Sequence, residues 1–182
     1  VQQLLKERAE VDAKDGEGLT ALHHAAIHGH EELVRQLLEK GAAVDARDRR
    51  KLTAFHFAAF NGHEAVVKLL LKNGVEVDGK CEGGHTALQV TAIQGHETVV
   101  RLLLENGAEI DAEDEDGMMA LHRAAIHGHE EVLRLLLEKG AAVGGRDKDG
   151  LTALHHAATQ GHDTVVGLLL EKGAAINAPH WG

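Results

Sequence analysis

The sequence predicts an all-α solenoid of stacked antiparallel helix pairs with projecting β-turn loops, and three observations carry that prediction. The first is self-similarity. TALHHAAIHGH (Thr20 to His30), TAFHFAAFNGH (Thr53 to His63), TALQVTAIQGH (Thr86 to His96), MALHRAAIHGH (Met119 to His129) and TALHHAATQGH (Thr152 to His162) recur every 33 residues without a slip. LLEKGAAVDA, LLKNGVEVDG, LLENGAEIDA, LLEKGAAVGG and LLEKGAAINA follow them in register. The second is periodicity: each copy holds two short apolar runs at i, i+3, i+4, Leu22, Ala25 and Ala26 and then Val34, Leu37 and Leu38. The third is punctuation, because a glycine closes each run in a chain of 21 Gly and one Pro.

The elements follow in chain order. Residues 1–14, with LLKERAEVDA, match the second half of a copy; full copies run 15–47, 48–80, 81–113, 114–146 and 147–179, and 180–182 form a tail, all within one domain of residues 1–182. In each copy the first helix starts at the Thr, or at Met119, and a glycine such as Gly29 ends it by taking a left-handed backbone cheaply. The next residue, His30 in the first copy, opens the second helix, which Gly41 terminates. Isolated helices need about 12 to 15 residues to hold in water, so each must borrow stability from its neighbours. First helices bury mainly Ala and second helices mainly Leu. The array is therefore expected to curve, with first helices and loop tips such as Asp15 to Gly18 lining the concave face.

The T-A-L-H unit at this period resembles the ankyrin repeat family, whose 33-residue repeat carries T-P-L-H-x-A. The resemblance spans essentially the whole chain. Ala21, Ala54, Ala87, Ala120 and Ala153 stand where the family has Pro, which removes some preorganisation at the first helical position. What the resemblance implies is non-catalytic protein recognition through a rigid concave surface, with the motif histidines bonding near the preceding Thr to knit neighbouring loops. The regularity resembles a consensus-derived or engineered array; the irregular second and third copies resemble drift in a natural protein. The alternative function is a spacer segment of a longer array with no binding site of its own.

Composition excludes other classes. Nineteen Lys and Arg against 29 Asp and Glu give a net charge of −10, which argues against nucleic acid and anionic membrane surfaces as partners. The core must be aliphatic, with no Tyr, three Phe and one Trp. Cys81 alone can form neither an internal disulfide nor a cysteine-rich zinc site, so an intracellular, cytoplasmic location is expected. No apolar run approaches the roughly 20 residues of a membrane span. The start at Val1 without Met reads as a piece of a longer chain. The ends lack the polar substitutions of capping units, so Val165, Val166 and Leu169 are expected to face solvent in part. End-to-end self-association, or docking of Trp181, would cover them.

Catalytic and metal chemistry find little support. Nine of the fifteen histidines are fixed by the repeat: His23, His56, His122 and His155 in the motif, and His30, His63, His96, His129 and His162 after the glycine. His24 and His28 lie i, i+4, a chelating spacing, but lack a third ligand, and His24 is expected to point partly into the stack. There is no Ser, Cys81 is placed on an exposed loop with nothing to activate it, and Gly144 and Gly145 are not followed by a Lys-Ser or Lys-Thr pair. No enzyme activity, cofactor or metal is expected.

The expected protein-binding surface is an apolar stripe at the fifth and thirteenth positions of the copies: Leu19, Ile27, Leu52, Phe60, Ile93, Met118, Ile126 and Leu151. Exposed together, these would amount to about 400 to 600 Å², the upper end for a monomer. His28, Asn61, Gln94 and His127 flank it. A basic tip, Arg49, Arg50 and Lys51, and an acidic one, Glu113, Asp114, Glu115 and Asp116, would orient a partner. Phe60 is the expected hot spot, with Phe55 in the core and Phe57 packed between copies. Lys51, Gln89 and Thr91 mark the second and third copies as the expected weak point of the stack.

Overall fold

The computed structural model describes residues 11–175. In them the 33-residue period becomes five helix pairs: α1 (Ala21–Ile27) with α2 (Glu31–Glu39), α3 (Ala54–Phe60) with α4 (Glu64–Lys72), α5 (Ala87–Gln94) with α6 (Glu97–Glu105), α7 (Ala120–His127) with α8 (Glu130–Glu138), and α9 (Ala153–Gln160) with α10 (Asp163–Glu171). One 3-10 turn, Glu82–Gly84, and no strand accompany them among the described residues. Trp181 and most of the N-terminal half copy lie outside the described residues.

Successive first helices pack more closely than successive second helices. The cause is side-chain size. Ala25, Ala26, Ala58, Ala59, Ala124 and Ala125 are all buried on the first helices, whereas the second helices bury Leu70, Leu103, Leu136 and Leu169. Full burial of one such Leu is worth about 2 kcal/mol. The exposed i, i+4 pairs on the outer helices, Arg35 with Glu31, Arg101 with Glu97 and Arg134 with Glu130, are worth only about 0.3 to 0.5 each. The aliphatic spine therefore holds the stack.

The motif side chain caps its first helix and reaches on either to the loop that ends its own copy or to the tip of the next. Thr20 donates its backbone N–H to His23 Nδ1 at 3.0 Å, which puts the ring proton on Nε2, and that atom donates to the Leu52 carbonyl at 3.2 Å. His56 does the same between Thr53 and the Gly79 carbonyl, at 3.3 and 2.9 Å. In the third copy Gln89 fills the slot: Oε1 accepts from Thr86 N–H at 2.8 Å, and Nε2 donates to the Ala112 and Met118 carbonyls at 3.0 and 2.7 Å. Thr91 Oγ1 donates to the Ala87 carbonyl at 2.7 Å. Both groups are fully satisfied, so the cost of an unpaired buried polar group expected at these residues does not arise. Of the three suspected defects only Lys51 remains: at φ 60 it is the one non-glycine residue with positive φ among those described.

A second ladder ties the loops that follow the outer helices. Asp12, Asp45, Asp78 and Asp111 each accept, at Oδ1, the backbone N–H of Ala43, Glu76, Glu109 and Ala142 in the next copy, at 2.9 to 3.2 Å. Gly144 occupies the fifth such position and cannot. Its neighbour Gly145 has a different cause. A Cβ there would meet Met119 Sδ at 2.9 Å, so the small residue makes room for the Met that replaces the motif Thr.

The last pair also departs from expectation. Val165 and Leu169 are completely buried and Val166 half-buried, because α10 packs them onto α9 and α8; Leu170 is the exposed one, at 38%. The expected partial exposure therefore holds for Val166, with Leu170 beside it, and fails for Val165 and Leu169.

Candidate functional site

The face built from loop tips and first helices carries a polar ladder with a gap. At the first position of a copy an Asp folds the tip: Asp15 Oδ1 accepts from the Glu17 and Leu19 N–H groups, both at 2.9 Å, and Asp48, Asp114 and Asp147 repeat the pattern. The other carboxylate oxygen meets the side chain at the tenth position. His24 lies 2.8 Å from Asp15, Arg123 2.5 Å from Asp114, and His156 2.7 Å from Asp147. His24 is thus an exposed partner of Asp15 and does not point into the stack. In the second copy the tenth position is Phe57, and in the third Cys81 and Val90 replace both members of the pair.

An apolar pocket of about 530 Å³ opens at that gap. Ile27, Leu52, Phe57, Phe60 and Val90 form its apolar walls; Arg50, Asn61, Glu82, Gly83 and His85 stand around it, with His56 and Cys81 also lining it. Phe57 rests its ring edge-on against His23, centroids 5.9 Å apart. Asn61 Nδ2 donates to the Phe57 carbonyl at 2.8 Å and closes the end of α3. Phe60 is 43% exposed. Cys81 is buried, contrary to its expected exposed loop, and burial pushes its thiol pKa up, away from the reactive thiolate.

The expected stripe divides in two. The pocket gathers Ile27, Arg50, Leu52, Phe60 and Asn61. Leu19, His28 and Arg49 lie on the N-terminal side, outside it; Ile93, Gln94, Met118, Ile126, His127 and Leu151 lie towards the C-terminus. Of the eight stripe residues only Phe60 is freely exposed, and the rest are half-buried, so the open apolar area is smaller than expected. Their helix ends are covered in part by the next copy: the Ile27, Phe60, Ile93 and Ile126 carbonyls accept from the Nε2 of His63, His96, His129 and His162.

The charged tips also differ from the sequence reading. Arg49, Arg50 and Lys51 are exposed and make no ion pair among the described residues. Asp114 leaves the acidic tip, its side chain fully buried beneath Arg123 and with His85 Nδ1 at 3.2 Å but out of hydrogen-bonding alignment. Burial raises its pKa, but the Arg123 bond and the Met118 and Asp116 N–H groups outweigh that and hold it below the usual carboxylate range. Glu113, Glu115 and Asp116 remain exposed.

Sequence reasoning missed Phe57, Val90, Cys81, Glu82 and His85. The available signal was the tenth position read across copies, His24, Phe57, Val90, Arg123, His156, where polarity lapses twice. Among the described residues no group of three or more His, Cys, Asp or Glu is placed to hold a metal ion, and no helix is long and apolar enough to cross a membrane. A family profile described as ankyrin repeats (3 copies) matches residues 1–81, 42–114, 77–147 and 107–180. A comparison with curated proteins produced no match.

Proposed function

The chain belongs to the ankyrin repeat family, whose repeats are generally protein-interaction modules and typically non-catalytic, and from that premise we propose that it is a recognition scaffold binding a protein partner through the concave face. The observation that carries the reading is the apolar pocket beside the exposed Phe60, lined by Arg50 of a tip whose three cations make no ion pair among the described residues. Loops and first helices are locked by bonds to neighbouring copies, so little conformational entropy is lost when a partner docks. Leu19, Ile27, His28, Leu52, Asn61, Ile93, Gln94, Met118, Ile126, His127 and Leu151 extend the contact surface along that face. The proposal treats the chain as one domain acting in a reducing, cytoplasmic setting, where the buried single Cys81 stays a thiol.

The test is quantitative affinity capture from cell extract with three baits: the chain itself, Phe60→Glu on the proposed face, and Leu33→Glu on an outer helix, where Leu33 is 44% exposed. Proteins lost with Phe60→Glu but kept with Leu33→Glu support the reading. A set of captured proteins that is the same for all three baits contradicts it and leaves the spacer role.

A further inference from the structure

We propose that the pocket between the second and third repeats is an anchor subsite that takes one bulky apolar side chain of a partner peptide, with acidic residues of that peptide seated on the Arg49, Arg50 and Lys51 tip. This rests on the concave-face reading and names the chemistry of the partner.

Three independent observations converge. The polar ladder of first- and tenth-position side chains is intact at Asp15 and His24, at Asp114 and Arg123, and at Asp147 and His156; it lapses only at Phe57 and at Cys81 with Val90. Where it lapses the walls are apolar and the volume of about 530 Å³ falls within the range of ligand pockets, enough for an aromatic or leucyl side chain and its flanking backbone. Aromatic anchors seated in such pockets dominate many interfaces.

The second observation is charge. In a chain of net charge −10, one tip carries three adjacent cations with no intramolecular ion pair among the described residues, and Arg50 of that tip lines the pocket. On the C-terminal side stand Glu82 and then the exposed Glu113, Glu115 and Asp116. A carboxylate beside the anchor is drawn to the Arg50 side and repelled from the other, which fixes the direction of the peptide. The third is strain. Lys51 holds φ 60 at the position that is Gly18, Gly84, Gly117 and Gly150 in the other tips, an unfavourable backbone retained beside the pocket.

The test starts with a phage-displayed random dodecapeptide library selected on the full chain. Synthetic copies of the enriched peptides then go into fluorescence polarisation. Enriched peptides should carry Leu or an aromatic residue with Asp or Glu within three positions. Their Kd should weaken at least tenfold on Cys81→Asp/Val90→Arg, which copies the Asp114 and Arg123 pair into the gap, and at least fivefold on Arg49→Ala/Arg50→Ala. Leu33→Ala, on the outer helix α2 and off the proposed face, should change it less than twofold. Phe57→His, which sets opposite Asp48 the pair seen at Asp15 and His24, serves if circular dichroism shows the double variant unfolded.

Peptides that survive pocket filling but fail on Ile126→Ala, outside the pocket on the same face, overturn the subsite and leave the face reading standing. Peptides insensitive to every one of these substitutions overturn both. Enrichment of apolar peptides without acids, or no enrichment, overturns the proposed partner chemistry, and affinity capture of whole proteins then decides the broader reading separately.

Discussion

The imidazole of His162 lies over Gly128: its Nε2 donates to the Ile126 carbonyl at 3.0 Å, and a Cβ built on Gly128 would come within 2.8 Å of the ring. The same relation joins His63 to Gly29, His96 to Gly62 and His129 to Gly95. The glycine thus answers to two demands, a left-handed backbone at φ +71 and a ring seated where a methyl would go. Gly161, at φ +73, meets only the first, since nothing described lies within 4 Å of its would-be Cβ.

That difference predicts unequal costs for one substitution. Gly161→Ala should destabilise by about 1 kcal/mol, the strain of a non-glycine left-handed residue. Gly128→Ala should cost about 2 to 3 kcal/mol, because it also displaces the His162 ring and forfeits its bond. Equilibrium urea unfolding of both variants measures the gap, and equal losses would show that the ring contact carries no weight.

Acid should loosen the stack through the motif histidines. Burial, with Arg47 nearby, lowers the pKa of His56 from 6.5 to about 4, and burial lowers those of His23 and His122. Their Nδ1 atoms accept backbone N–H bonds and cannot take a proton without losing them. Between pH 6.5 and about 4 the unfolded chain binds a proton that folded His56 does not, so stability falls as pH falls across that window. The His56 share reaches about 3 kcal/mol at the low end. His56→Gln, which borrows the Gln89 solution, should flatten the decline, and an unchanged slope in unfolding free energy from pH 7 to 4 would count against it. Loss of the Asp114 and Asp147 pairs comes lower, because both carboxyls titrate below their usual range.

All ten helices of the described residues were legible in the sequence because each is set by local rules, an apolar spacing and a glycine, repeated in register. The pocket was not, because it depends on pairs of residues whose meaning appears only across copies. Val90 alone reads as one more aliphatic core residue; beside His24, Arg123 and His156 it is a missing polar partner. Gly145 reads as a loop substitution until Met119, 26 residues earlier, is found filling the space a Cβ would need. Gln89 and Thr91 looked like defects because satisfaction of a buried polar group is a matter of geometry, and the geometry supplies every partner.

Gly144 marks a true missing bond. Its φ is not in the left-handed region and a Cβ there meets nothing within 4 Å, so a side chain fits without strain. Gly144→Asp restores the residue that Asp12, Asp45, Asp78 and Asp111 represent, with the Ala175 N–H in the position of their donors. The variant should gain about 1 kcal/mol from the new bond and the stiffer unfolded chain. The effect should concentrate in the last helix pair, as expected of a nearly one-dimensional stack. Amide hydrogen exchange across α9 and α10 locates it: slower exchange there supports the assignment, and a gain spread evenly over α1 to α10 refutes it.

Lys51 should trade stability against binding. Its φ of 60 strains the backbone by about 1 kcal/mol, and Lys51→Gly should return that amount in urea unfolding because sister tips carry Gly at the same place. The same change removes one of three cations beside the pocket and should weaken a peptide selected on the wild-type chain, more at low salt than at high. The two readouts separate the explanations of why a strained lysine sits there. A variant that is more stable but binds less well identifies Lys51 as a recognition residue held at a structural cost. A variant that is more stable and binds unchanged leaves the lysine as a defect of the second copy, with Arg49 and Arg50 carrying the charge of the rim.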